Sequence, residues 1–153
     1  MKVDVRIDAK RLQTYIKRAI KDMPQEIDRA LYKTGQQGVN VILDRTEKGT
    51  GTDGAFKRYT PAYATIKAEG WPGTKTRRAF GGDPSGIVNL MVTGEMLGSM
   101  TATKPKNHRT RITFLRSSEA KKAFWNNRQR KFFEFNQKEV NKLGGFFRKE
   151  LFK

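Results

Sequence analysis

"SMTATKPKNHRTRITFLRS", Ser99–Ser117, decides the fold class. Thr110, Ile112 and Phe114 alternate with polar residues, the period of a half-buried strand. The turn-forming run from Pro105 to His108 separates this strand from the one before it, so the stretch reads as a β-hairpin. Flanked by helical patterns on both sides, it predicts an α+β domain. An antiparallel β-sheet packs against N-terminal and C-terminal helices.

Upstream lies "VNLMVTGEMLGSM", Val88–Met100. Thr93 is placed to cap a short helix over residues 94–99, with Glu95 near its positive end and Leu90, Met96 and Leu97 in the core. A P-loop needs lysine followed by Ser or Thr after its glycines, and "TGEMLGS" lacks both. Further upstream, residues 48–86 are glycine-rich and hold three prolines. They predict an extended loop, mobile in the free protomer. Within it "TPAYATIKAEG" predicts one short helix, with Thr60 as N-cap and Pro61 at its first position. Phe56, Tyr59, Tyr63, Trp71 and Phe80 give this loop more burial-seeking groups than a plain linker carries.

The N-terminal "VDVRID" alternates as a strand. Leu12, Tyr15, Ile16, Ala19, Ile20 and Met23 then recur at helical spacing, and Pro24 suits the first turn of a second helix ending near Lys48. That helix would bury Ile27, Leu31, Thr34, Gly38, Val41 and Ile42. Asp22, Glu26 and Asp28 would favour its positive end. Gly35 and Gly38 would admit a neighbouring helix. Downstream, "EAKKAFWNNRQRKFFEF" mixes helical and irregular features, with Phe132, Phe133 and Phe135 as packing residues. "QKEVNKLGGFFRKELFK" predicts a C-terminal helix presenting Val140, Leu143, Phe147 and Leu151, interrupted at Gly144 and Gly145.

The chain has 153 residues, enough for one domain with a modest core, spanning 1–153. It has no cysteine, which excludes disulfides and thiolate metal sites. No apolar run is long enough to cross a membrane, and no secretory signal opens the chain, so synthesis in a cytoplasm is expected. His108 reads as an exposed turn residue, and one histidine without cysteine makes no usual zinc site. The sequence therefore predicts no enzyme, no metal and no cofactor.

The formal net charge is +17. From Lys104 to Lys131 there are ten Lys or Arg residues and one acid, Glu119, whereas residues 1–47 nearly balance. Lys104, Lys106, Arg109, Arg111, Lys121, Lys122, Arg128, Arg130 and Lys131 are the candidate contacts for an anionic partner. Interleaved with Phe114, Phe124, Trp125, Phe132 and Phe133, they suit either nucleic acid or acidic protein. A basic nucleic-acid-binding protein is the alternative reading of this segment.

Two blocks together carry a resemblance. "FKRYTPAYATIKAEG" supplies Phe56, Tyr59, Thr60, Pro61, Tyr63 and Lys67. "VNLMVTGEMLGSM" supplies Leu90, Thr93, Gly94, Met96, Leu97 and Ser99. With the helical N-terminal part, the basic hairpin and "RKFFEFN", residues 24–136 resemble the virion-morphogenesis proteins of tailed bacteriophages. These are the tail-completion and head–tail joining proteins of the neck. The resemblance implies a non-enzymatic structural protein, made in the host cytoplasm and resident at the head–tail junction or tail end of the virion. It implies a homo-oligomeric ring that meets other neck or tail proteins, its positive face turned either to acidic neighbours or to DNA in non-specific contact, with no membrane. Phe56, Tyr59, Tyr63, Trp71 and Phe80 would then order against the neighbouring subunit.

Overall fold

A computed structural model describes residues 9–69, 87–91 and 94–153, with backbone alone for 9–13, 15, 16, 18–20 and 69. The predicted strand at residues 3–8, most of the first apolar stripe, Thr93, Trp71 and Phe80 lie outside what it describes. The described residues form five helices and two small antiparallel sheets, an α+β arrangement with N- and C-terminal helices packed on the strands.

Helix α1 runs unbroken from Ala9 to Glu47 with Pro24 inside it. The expected pair of helices is one. Proline deletes one backbone hydrogen bond and crowds the carbonyl four residues earlier, at a cost of about 3 kcal/mol. Residues 21–26 are all exposed, so water can meet the freed carbonyl. Met23 is 55% exposed and belongs to no core stripe. Asp22, Glu26 and Asp28 stand in mid-helix and serve no helix start. The stripe that is buried comprises Ala30, Val39, Ile42 and Thr46, with Arg45 beside them.

After α1 the chain forms a tight hairpin, β1 (Thr50–Gly51) with β2 (Gly54–Ala55). Residues 49–56 are therefore not open loop. Thr52 N–H donates to the Lys131 carbonyl at 2.9 Å. A Cβ on Gly51 would stand 2.6 Å from that same carbonyl oxygen, so only glycine allows the approach. Phe56 follows and is buried in the protomer's own core. Helix α2 (Pro61–Glu69) starts as expected, with Thr60 Oγ1 accepting from Tyr63 N–H at 3.4 Å.

Helix α3 is short, Glu95–Gly98, and buries Met96 and Leu97 as expected. Its N-cap position is Gly94 at φ 75°, with no side-chain cap. Then comes the basic hairpin, β3 (Met100–Ala102) with β4 (Ile112–Phe114), in the register Met100↔Phe114 and Ala102↔Ile112. Gly35 and Gly38 do admit a close neighbour, but it is this hairpin. A Cβ on Gly35 would be 2.8 Å from Ala102 Cβ, and one on Gly38 2.9 Å from Ile112 Cδ1.

Helix α4 (Ser117–Gln129) leads to an irregular crossing at residues 130–136. Phe132 is fully buried there, and Phe133 and Phe135 pack against the core. Arg45 holds the crossing. It donates to the carbonyls of Phe132 (2.6 Å) and Glu134 (2.7 Å) and pairs with Glu139 at 2.6 Å. Glu139 in turn completes a capping box with Asn136 at the start of α5 (Gln137–Leu151). Helix α5 passes through Gly144 and Gly145 without interruption and packs along α1. Leu143, Phe147 and Leu151 are half-buried, while Val140 is 47% exposed.

Candidate functional site

The basic residues fall into two groups. The first sits on the β3–β4 hairpin. Its turn is closed by reciprocal bonds between Lys106 and Arg109, at 3.0 and 3.2 Å. Asn107 and His108 occupy the two central positions at φ 52° and 53°. Positive φ at both positions is what two-residue hairpins need, and asparagine and histidine enter that region more readily than most side chains. Thr103 and Arg111 are paired through the backbone at 2.8 Å. Lys104 and Pro105 thus stand opposite the single Thr110, a bulge that accommodates a proline without an N–H.

Along the returning strand, Thr110, Ile112 and Phe114 are half-buried and Arg109, Arg111 and Thr113 are exposed, the alternation the sequence predicted. The ribbon lies along α1. His108 Nδ1 is 2.9 Å from Asp28 Oδ1, a contact the sequence did not suggest because eighty residues separate the two. Lys104, Lys106, Arg109 and Arg111 are exposed and make no ion pair among the described residues. With Thr103 and Asn107 they border a concavity of about 600 Å³.

The second group lies on α4 and just after it, and most of its cations are occupied. Lys122 bonds Glu119 at 2.9 Å and holds that carboxyl below its ordinary range. Lys131 pairs with Asp53 at 3.0 Å, which lowers the pKa of Asp53 and raises that of Lys131. Arg128 stacks on Trp125, 5.3 Å from the ring centre. Arg130 lies 5.1 Å from the Tyr59 ring centre and donates to the Lys57 carbonyl. Lys121 is simply exposed.

Tyr59 is the point where the two sequence blocks meet. Its hydroxyl accepts from Leu90 N–H at 3.2 Å, where Leu90 takes φ 56°. Lys67 Nζ stands 4.9 Å from the Tyr59 ring centre and bonds Asn89 Oδ1 at 2.5 Å and the Ile87 carbonyl at 3.3 Å. Tyr63 packs edge-on against Tyr59 with ring centres 4.8 Å apart. Burial pushes both phenols above their ordinary pKa. The two tyrosines, Met96, Glu119, Lys122 and Arg130 line a cleft of about 580 Å³. Of the loop aromatics, Tyr59 and Tyr63 are thus brought together, while Phe56 is turned into the core.

Phe124 and Trp125 form an exposed edge-on pair on α4, with Leu115 exposed at its foot. Among the described residues, no three of His, Cys, Asp and Glu are placed to hold a metal ion. No helix among them is long and apolar enough to cross a membrane. Sequence reasoning missed Arg45 and the Asn136–Glu139 box. The spacing Asn-x-x-Glu before an apolar run was a usable signal for the box. No protein-family model, no curated protein and no solved structure matches the chain.

Proposed function

We propose that this protein is a structural component of the neck of a tailed bacteriophage. It acts in tail completion or head–tail joining as a homo-oligomeric ring, through contacts with other neck or tail proteins. It works without catalysis or cofactor, and it resides at the head–tail junction or tail end after synthesis in the host cytoplasm. The observation that carries this reading is the junction at Tyr59. The two sequence blocks behind the resemblance form one interlocked unit there, tied by the Tyr59–Leu90 and Lys67–Asn89 bonds.

A second observation supports it. Phe124 and Trp125, an edge-on pair on α4, are 60% and 62% exposed and suit a partner surface. Closed rings use heterologous contacts between two different faces of each subunit. Deletion of the gene in the producing phage tests the reading. It should leave heads and tails that fail to join, or tails with a faulty end, visible by electron microscopy. Normal infectious particles after deletion would exclude it.

A basic nucleic-acid-binding protein is the second reading. The observation that favours it is the set of unpaired cations on the hairpin.

A further inference from the structure

The nine candidate cations are not equivalent. Lys122 and Lys131 are paired with carboxylates, Arg128 and Arg130 are stacked on aromatic rings, and Lys121 is exposed on α4 away from the hairpin concavity. Lys104, Lys106, Arg109 and Arg111 have no such partner among the described residues, and all four border one concavity. Asp28, the acid at the tip, is already in contact with His108.

The composition of this concavity selects among anionic partners. Among the described residues its lining is Thr103, Lys104, Lys106, Asn107, Arg109 and Arg111, none of them aliphatic or aromatic. A protein interface draws its affinity from apolar or aromatic anchors at its centre, and the described lining residues supply none. Single strands are held by stacking on aromatic rings, and the exposed rings Phe124 and Trp125 belong to α4. Cations with hydroxyl and amide groups beside them match the phosphate oxygens of a duplex.

We propose that the hairpin concavity binds the phosphate backbone of double-stranded DNA without regard to sequence. The inference does not depend on the neck reading. A phage that assembles normally without the gene would exclude that reading and leave the binding unaffected.

The test is fluorescence anisotropy with a labelled duplex across a potassium chloride series. The wild-type chain is compared with a hairpin set, K104Q/K106Q/R109Q/R111Q, and a charge-matched set, K121Q/K122Q/R128Q/K131Q. Each phosphate contact contributes about 0.9 to the slope of log affinity against log salt. The hairpin set should flatten the slope by about 3 to 4 and weaken binding at least about tenfold at low salt. The charge-matched set should flatten it by less than about 1. R109Q and R111Q alone should each remove about 0.9, which keeps the test sound if the fourfold variant folds poorly.

Equal losses in the two sets would overturn the proposal in favour of diffuse attraction by net charge. Polyglutamate binding as tightly as the duplex at the same salt, through the same four residues, would overturn it in favour of an acidic protein. A single strand binding more tightly than the duplex, and released by F124A/W125A, would overturn it in favour of stacking on α4.

Discussion

Arg109 and Arg130 belong to the same basic stretch of sequence, and the fold gives them opposite surroundings. Arg130 lies against the Tyr59 ring and donates to the Lys57 carbonyl, within the junction that ties the two sequence blocks together. Arg109 stands on an exposed ribbon face beside Arg111, with its backbone closing a turn and its guanidinium unpaired among the described residues. Charge counted along a sequence therefore overstates what is on offer to a partner. Around the junction, cations are structural ligands of carboxylates and rings. On the hairpin the lysines and arginines make no ion pair among the described residues.

The sharpest way to probe the structural use of cations is Arg45, the most buried of those paired with an acid. Arg45→Ala removes two bonds to the crossing segment and one to α5, and strands Glu139. Loss of one partner of a buried pair costs about 3–5 kcal/mol. A urea midpoint within experimental error of wild type would show that the crossing is held otherwise. Next is Gly51→Ala, whose new methyl meets a backbone carbonyl that cannot rotate away. Overpacking of this kind costs about 1–3 kcal/mol, read from the same denaturation curve. An unchanged midpoint would mean the β1–β2 hairpin shifts freely over Lys131.

Tyr59→Phe keeps the ring under its two cations and deletes the acceptor for Leu90 N–H. The expected loss is about 1 kcal/mol, with faster amide exchange at Leu90. Exchange at Leu90 as slow as in the wild type would break the assignment of this bond.

A smaller effect is expected where α5 ends against α1. Lys153 and then Lys33 bond the Glu150 carboxyl and hold it at about 2. A lowered carboxylate pKa contributes stability above the ordinary carboxylate range, and the contribution is lost as pH falls from about 4.5 to about 2. The carbon-13 shift of the Glu150 carboxyl should report that titration, with fraying of the end of α5 over the same window. Titration near the ordinary value would remove the linkage. Smallest of all is the hairpin set K104Q/K106Q/R109Q/R111Q, which should move stability by no more than about 0.5 kcal/mol. A larger loss would make these cations structural too and erase the contrast with the junction.

The parts legible in the sequence are those set by neighbours in the chain. Thr60 and Pro61 announce α2 because cap and first-turn chemistry are local. The alternation from Arg109 to Phe114 shows which face of the ribbon is buried. Phe132, Phe133 and Phe135 were readable as packing residues for their size and density. What was not legible depends on contacts across many residues. Pro24 signals a helix start by its own chemistry, and only the exposure of its surroundings lets α1 run through it. Gly51 looks like loop punctuation until Lys131 arrives against it. Arg45 looks like one more surface charge, since nothing nearby in sequence discloses the two carbonyls and the carboxylate it will meet. At the candidate site, the sequence grouped nine cations by proximity in the chain. Which of them carry a carboxylate or ring partner was decided by Glu119, Asp53, Trp125 and Tyr59.

The contact between His108 and Asp28 bears on mechanics. Helix α1 has 39 residues and so is a rod about 58 Å long. The ribbon is fastened to it at its strands, through Gly35 and Gly38, and again at its tip. A load applied at Arg109 or Arg111 cannot be absorbed by bending a loose loop. The charged face is thereby tied to α1, and through it to α5, which packs along the same helix.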